Sequence, residues 1–174
     1  ASTILASNTS SLSVAAMAAV TQRAAKVAGL HFFNPVHSME LVEVVAAPKT
    51  DQQTIAQLVG LVRALGKTPI VTQDSPGMIV NRVLFPYLGE AVRMVSEGFD
   101  VATVDRELRR FGMPMGPLEL LDQVGIDVAR HVADSLRGVI ADAEAVAGPL
   151  AAMADQGRLG KKAGSGFYHY ANGK

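Results

Sequence analysis

Apolar and polar positions follow two different rhythms along this chain, and the change falls near residue 74. Before it, short apolar runs alternate with helical stripes. "STILAS" (2–7) is short and β-compatible and leads into the polar stretch "NTSSLS" (8–13). Over 12–22, Val14, Met17, Ala18 and Thr21 share one helical face. "KVAGLHFF" (26–33) and "MELVEVVA" (39–46) predict strands. Thr50 with Gln53 fits a capping box. Behind it Ile55, Leu58, Val59, Val62 and Leu65 recur at helical spacing, and Gly66 suits the position just past a helix end. "TPIVTQ" (68–73) predicts another strand.

After "DSPG" (74–77) strand signals nearly vanish. "MIVNRVLFPYLGEAVRMVSEGF" (78–99) predicts a long apolar helix, kinked where Pro86 removes a backbone hydrogen bond. Gly98 suits its end, Asp100 can cap a helix that closes at Gly112, and Pro117 fits a first helical position. Further helical segments follow at 117–124, 126–140 and 142–156, then a Gly-rich tail over 157–170 with an aromatic end. No internal repeat or low-complexity linker interrupts the pattern. The expected organisation is an αβ half over 1–73 and an all-helical half beyond it. The fold class is α+β, and each half is too short for a complete doubly wound domain.

Composition narrows the function classes. The chain of 174 residues is 49% hydrophobic, with six Phe and three Tyr, so a packed core is expected. Sixteen basic residues balance sixteen acidic ones, which argues against nucleic acid as a partner. Without cysteine, disulfides, Cys–zinc sites and thiol catalysis are excluded. No apolar run approaches the roughly 18–20 residues that a membrane span needs. The chain does not start with Met and opens on what looks like the inside of a strand, so a piece of a larger protein is expected.

Two ionisable groups stand out in "AGLHFFNPVHSMELVEVV" (28–45), because His31 and Glu43 sit inside otherwise apolar strands. If the two strands form a hairpin centred near Val36, His31 faces Leu41, and Glu43 is a diagonal neighbour on the same face. A carboxylate on one ring nitrogen fixes the tautomer and favours the imidazolium when the other nitrogen takes a proton, which is how a general base is oriented. A hydrogen-bonded core histidine beside a solvated glutamate fits the same spacing, since a register slip would part them. His31 and His37 lie six apart with no helpful third ligand, so no metal site is expected.

Other polar groups carry double readings. The hydroxyls and amide of "SNTSSLS" follow a strand end, where open α/β sheets bind ligands, but they also suit a helix cap. Asn81 falls near the start of an apolar helix, where substrate or backbone could partner it. The lysines of "GRLGKKAGSGF" could meet an anion or simply solvent. The GSG at 164–166 lacks the βαβ context of a dinucleotide fingerprint.

Taken together, "SNTSSL" (7–12), "GLHFFNPVHSMELVEVV" (29–45), "LGKTPIVTQDSPGMIVNRVLFPYLGEA" (65–91), "FGMPMGPLELLDQVGID" (111–127) and "GRLGKKAGSGFYHY" (157–170) closely resemble the 3-hydroxyacyl-CoA dehydrogenase family. The likeness is strongest to the dehydrogenase portion of bacterial multifunctional fatty-acid-oxidation proteins and covers nearly the whole chain. It implies the C-terminal strands of a Rossmann-like NAD-binding domain over 1–73 and a helical domain over 74–174. It also implies oxidation of an (S)-3-hydroxyacyl-CoA to the 3-ketoacyl-CoA with NAD as hydride acceptor.

Carried onto matching positions, the resemblance makes His31 the base and Glu43 its carboxylate partner. Ser10 would contact substrate and the nicotinamide side, and Asn81 the substrate oxygen. Asn8, Asn34 and Lys162 would lie along the cofactor. The implied partners are an acyl-CoA and either a second copy or another helical domain, in a cytoplasmic setting with no metal. One departure is Met78, where the family usually has Phe after "PG". The other is the Gly-rich fingerprint, which these residues lack, so the chain alone is expected to hold NAD poorly and to be inactive. Two further readings are a non-catalytic helical dimerisation and substrate-binding module, and a short-chain 3-hydroxybutyryl-CoA dehydrogenase.

Overall fold

The computed structural model describes residues 3–140 and 143–171, which form two compact units, one up to Ile79 and one from Val80 onward. The expected strand start at Ser2 and helix start at Asp142 lie outside the described residues.

In the first unit, β1 (Leu5–Ser7), β2 (Val27–Phe32), β3 (Leu41–Ala46) and β4 (Thr68–Gln73) form one sheet in that order. The β1–β2 and β3–β4 pairs are parallel and β2–β3 is antiparallel. A helix crosses over within each parallel pair, α1 (Val14–Ala19) and α2 (Gln52–Ala64). The two central strands are covered on both faces. Val27 and Val45 pack with Val14, Ala18 and Met78 on one face. Ala28, Leu30, Val42 and Val44 pack with Leu58 and Val62 of α2 on the other.

Gly29 sits opposite Val45 in the β2–β3 register. A Cβ there would lie 2.6 Å from Val45 Cβ and 3.2 Å from Val14 Cγ2, so only glycine lets α1 come down on the sheet.

Local chemistry moved several expected boundaries. The hairpin turns one residue later than Val36, because the strands stop at Phe32 and start again at Leu41 around a turn in which Pro35 O accepts from Ser38 N and Met39 N. Asp51, not Thr50, caps α2, accepting from Thr54 N. The Thr50 hydroxyl instead accepts from Ala47 N and donates to Val27 O, tying together two strand ends. Gly66 does close α2, at φ 72°, with Lys67 N donating back to Val62 O. Leu65 is consequently at the cap and exposed rather than on the buried stripe.

The second unit is helical: α3 (Val80–Ser96), α4 (Val101–Phe111), α5 (Pro117–Val124), α6 (Ile126–Ser135) and α7 (Ala143–Asp155). Its start falls two residues later than the pattern predicts, because Gly77 and Met78 both take positive φ and cannot be helical. Pro86 lies inside α3, and Asp100 caps α4 as expected. Helix α6 stops at Ser135 rather than 140, where the Ser135 hydroxyl turns back onto Val132 O. Leu88, Val92, Leu118, Leu121, Ile126 and Leu150 anchor the core of this unit. No helix among the described residues is long and apolar enough to cross a membrane.

Candidate active site

Alternation along β2 puts Val27, Gly29 and His31 on one face of the sheet, and alternation along β3 puts Glu43 and Val45 on the same face. The register sets His31 directly opposite Glu43, rather than diagonal to it. His31 Nδ1 lies 2.7 Å from Glu43 Oε2, with the histidine side chain 8% exposed and the glutamate fully buried. The second carboxylate oxygen, Oε1, accepts the backbone N–H of Ile79 at 3.0 Å. The Phe33 ring stands against the imidazole, 4.6 Å between centroids and tilted by 59°.

A carboxylate only accepts, so Nδ1–H is the donor of the short contact. The lone pair therefore sits on Nε2, where a substrate proton can be taken. When it is, the new positive charge faces a buried anion already oriented by Ile79.

The polar loop after β1 is tied to the same strand. Asn8 Oδ1 accepts Phe32 N at 2.9 Å, one residue beyond His31. Thr9 Oγ1 folds the loop by accepting Leu12 N at 2.8 Å, with half-buried Ser10 between them. Because β1 and β2 run parallel, this loop and the end of β2 share one edge of the sheet, the edge where such sheets take ligands. Asn34 is exposed just past β2 and joined to Pro35 by a cis peptide. Among the described residues no cluster of three His, Asp or Glu could hold a metal ion.

The other named residues belong to the helical unit. Asn81 is the second residue of α3 and half-buried. Lys162 spends its charge on Asp127, with Nζ 2.6 and 2.7 Å from the two carboxylate oxygens. The tail that carries Lys162 is fixed by two buried acids that the pattern did not single out. Asp122 accepts Phe167 N, Tyr168 N and the Tyr170 hydroxyl, each at 2.9 Å. Asp105 accepts Leu118 N, Glu119 N and the Tyr168 hydroxyl. A Cβ at Gly166 would overlap the Asp122 carboxylate, so the GSG serves this contact. Also missed was Asp74, whose carboxylate reaches the start of α1; an acid directly after a strand and before Pro-Gly was the available signal.

Comparison with known proteins gives this geometry its context. Residues 1–75 match the profile for the NAD binding domain of 3-hydroxyacyl-CoA dehydrogenase, and residues 77–170 that for its C-terminal domain. The fatty acid oxidation complex subunit alpha of Pseudomonas syringae pv. syringae is 44% identical over 174 residues, 99% of this chain and 24% of that protein. Its counterpart in Acinetobacter baumannii is 46% identical over 170 residues, 97% of this chain and 24% of that one. The chain thus spans about a quarter of the length of the curated relatives it matches.

Among solved structures, FadB2 of M. tuberculosis is 41% identical with a TM-score of 0.91, over 97% of this chain and 60% of that one. The (S)-3-hydroxybutyryl-CoA dehydrogenase of Ralstonia eutropha is 40% identical with a TM-score of 0.90, over 97% and 61%. Two consecutive domain profiles, matched in family order across almost every residue, place this chain in the 3-hydroxyacyl-CoA dehydrogenase family.

Proposed function

We propose that this chain carries the proton-transfer residues of an NAD-dependent (S)-3-hydroxyacyl-CoA dehydrogenase of fatty-acid β-oxidation. The observation that carries the reading is the buried His31–Glu43 contact of 2.7 Å, beside a polar loop at the ligand-binding edge of the sheet. His31 Nε2 takes the proton of the 3-hydroxyl while the C3–H bond breaks and the C–O bond becomes a carbonyl. Glu43 holds the ring in the right tautomer and stabilises the imidazolium. NAD, when bound, accepts the hydride from C3.

The residues present fit the reactive end of that cofactor. The Asn8–Ser10 loop lies at the strand edge, and Asn34 just past β2 supports a contact along it. They do not supply the pyrophosphate end, since no G-x-G-x-x-G follows a strand in this sequence. Ser10 is assigned to substrate and the nicotinamide side. The motif matches at Asn81 ("VNR") and Lys162 ("GKK"), both in the helical unit, support roles at the substrate oxygen and along the cofactor. Residues 1–73 are read as closing the nucleotide domain and 74–174 as the helical domain. A cytoplasmic enzyme that pairs with a second copy or another helical domain completes the proposal.

The short-chain alternative rests on the 3-hydroxybutyryl-CoA dehydrogenase among the structural neighbours. The test is NADH formation by the gene product that carries this sequence, on (S)-3-hydroxyacyl-CoAs of graded chain length. A steep optimum at the four-carbon substrate selects the alternative, and no NADH with any of them overturns the proposal.

A further inference from the structure

The turn between β4 and α3 contacts both halves of the site in the first unit. At its far end Ile79 N donates to Glu43. At its near end Asp74 reaches across to the start of α1. Its Oδ1 accepts Val14 N at 3.0 Å, and its Oδ2 accepts Ala15 N at 2.6 Å and the Ser13 hydroxyl at 3.0 Å. Between these ends Met78 is 4% exposed and packs among Val14, Ala18, Val27 and Val45.

Helix α1 has only six residues, too short to hold its own position by propensity. Ser13 caps it by accepting Ala16 N, and the Ser13 hydroxyl spends its own proton on Asp74. The six residues between Ser7 and α1 are therefore fixed at both ends. Asn8 ties the first end to Phe32, and Asp74 ties the second to the turn that also holds Glu43. Ser10 lies in the middle of this span.

From this geometry we infer that Asp74 is a positioning residue of the reaction, holding the Ser10 loop in register with the His31–Glu43 pair. Asp74 does not touch the reacting atoms. It acts through Ser10, so the inference rests on the assignment of Ser10 above. A displacement of about 1 Å in a group that orients substrate can cost about 100-fold in rate, and three hydrogen bonds to one carboxylate are what prevent it here.

The test is a double-mutant cycle in the gene product that carries this sequence, with Ser10→Ala, Asp74→Ala and both together. Steady-state rates are read with an (S)-3-hydroxyacyl-CoA and NAD, and thermal midpoints are read alongside. Ser10→Ala lowers kcat. Asp74→Ala lowers it by about 10- to 100-fold in the parent. It lowers it by no more than about 3-fold when Ser10 is already gone, since coupled residues are not additive. Equal losses in both backgrounds overturn the role of Asp74 while leaving that of Ser10 intact. No effect of Ser10→Ala overturns the Ser10 assignment, and this inference with it. Where Asp74→Ala does not fold, Asp74→Asn keeps one oxygen for the α1 N–H groups and is run through the same cycle, with the same two outcomes deciding.

Discussion

Glu43 holds the His31 imidazole through one carboxylate oxygen and the Ile79 backbone through the other. It does so from a fully buried position in the middle of a three-strand neighbourhood, paired with His31 on one side and Ile70 on the other. A charge this deep is tolerated only while its partners remain, so the pair stands or falls together.

The dyad therefore separates chemistry from binding. If His31 is the base, as proposed, His31→Ala is expected to lower kcat by about 10²- to 10⁴-fold. Glu43→Gln keeps an acceptor for Ile79 N–H but removes the anion facing the imidazolium, so kcat falls with little change in KM. Steady-state kinetics on both variants check this. A kcat within about 3-fold of the parent for His31→Ala would mean that the histidine is structural, because a general base normally contributes far more.

Gly29 tests whether sheet register controls the site. Its missing side chain is what lets Val45 and Val14 approach, with Val45 Cβ only 2.6 Å from where a Cβ would sit. Gly29→Ala must push apart β2 and β3 or lift α1, at a cost of about 1–3 kcal/mol for overpacking. His31 is two residues along the same face, so activity falls beyond what the shift in urea midpoint explains. Unchanged stability together with unchanged kcat would show that α1 gives way freely.

Asp122 fixes the tail to α5. Asp122→Ala leaves Phe167 N, Tyr168 N and the Tyr170 hydroxyl without their acceptor in a buried place. Unsatisfied partners of a buried charged group cost about 3 kcal/mol or more in total. Hydrogen exchange should show the amides of Phe167 and Tyr168 losing protection first. Retained protection at both amides would place their stability elsewhere.

The sequence made the dyad legible because the strand period is two. A one-residue error in the hairpin centre moved Glu43 from diagonal to direct partner, yet kept it on the His31 face. Helix ends with a glycine, aspartate or proline signal, Gly66, Asp100 and Pro117, were also legible, since each has one local cause. What could not be read were contacts closed by distant backbone. Thr50 looked like a cap, but the chain returning from Ala47 and Val27 claimed its hydroxyl. Asp74, Asp105 and Asp122 each bind N–H groups at least 13 residues away, and no periodicity encodes such a pairing. Lys162 shows the same limit: nothing in the pattern pointed to its contact with Asp127, 35 residues away.

Tyr87 carries a buried hydroxyl with no hydrogen-bond partner among the described residues. Removing an unsatisfied buried polar atom while keeping the ring relieves its desolvation penalty. Tyr87→Phe is expected to stabilise the protein by about 1 kcal/mol, read from urea unfolding. A loss of stability would reveal a partner for the hydroxyl, such as a bridging water.

All three tyrosines of the chain are pushed above the ordinary phenol range. Burial is the main cause for each. Hydrogen bonds to Asp105 and Asp122 add to it for Tyr168 and Tyr170, since a phenol that donates to a carboxylate resists losing its proton. The unfolded chain ionises its tyrosines near pH 10, where the native state still holds the protons. Above that pH the native state binds more protons than the unfolded one, so stability falls as pH rises. The contribution is complete below about pH 10 and disappears as pH climbs toward the native values. Tyrosinate absorbance at about pH 10.5 should be small in the native protein and near its full value in denaturant, where phenols ionise around pH 10. Unfolding midpoints in urea should drop over the same range. Half or more of the native tyrosines ionised at that pH would show that the Asp105 and Asp122 contacts do not hold the tail in solution.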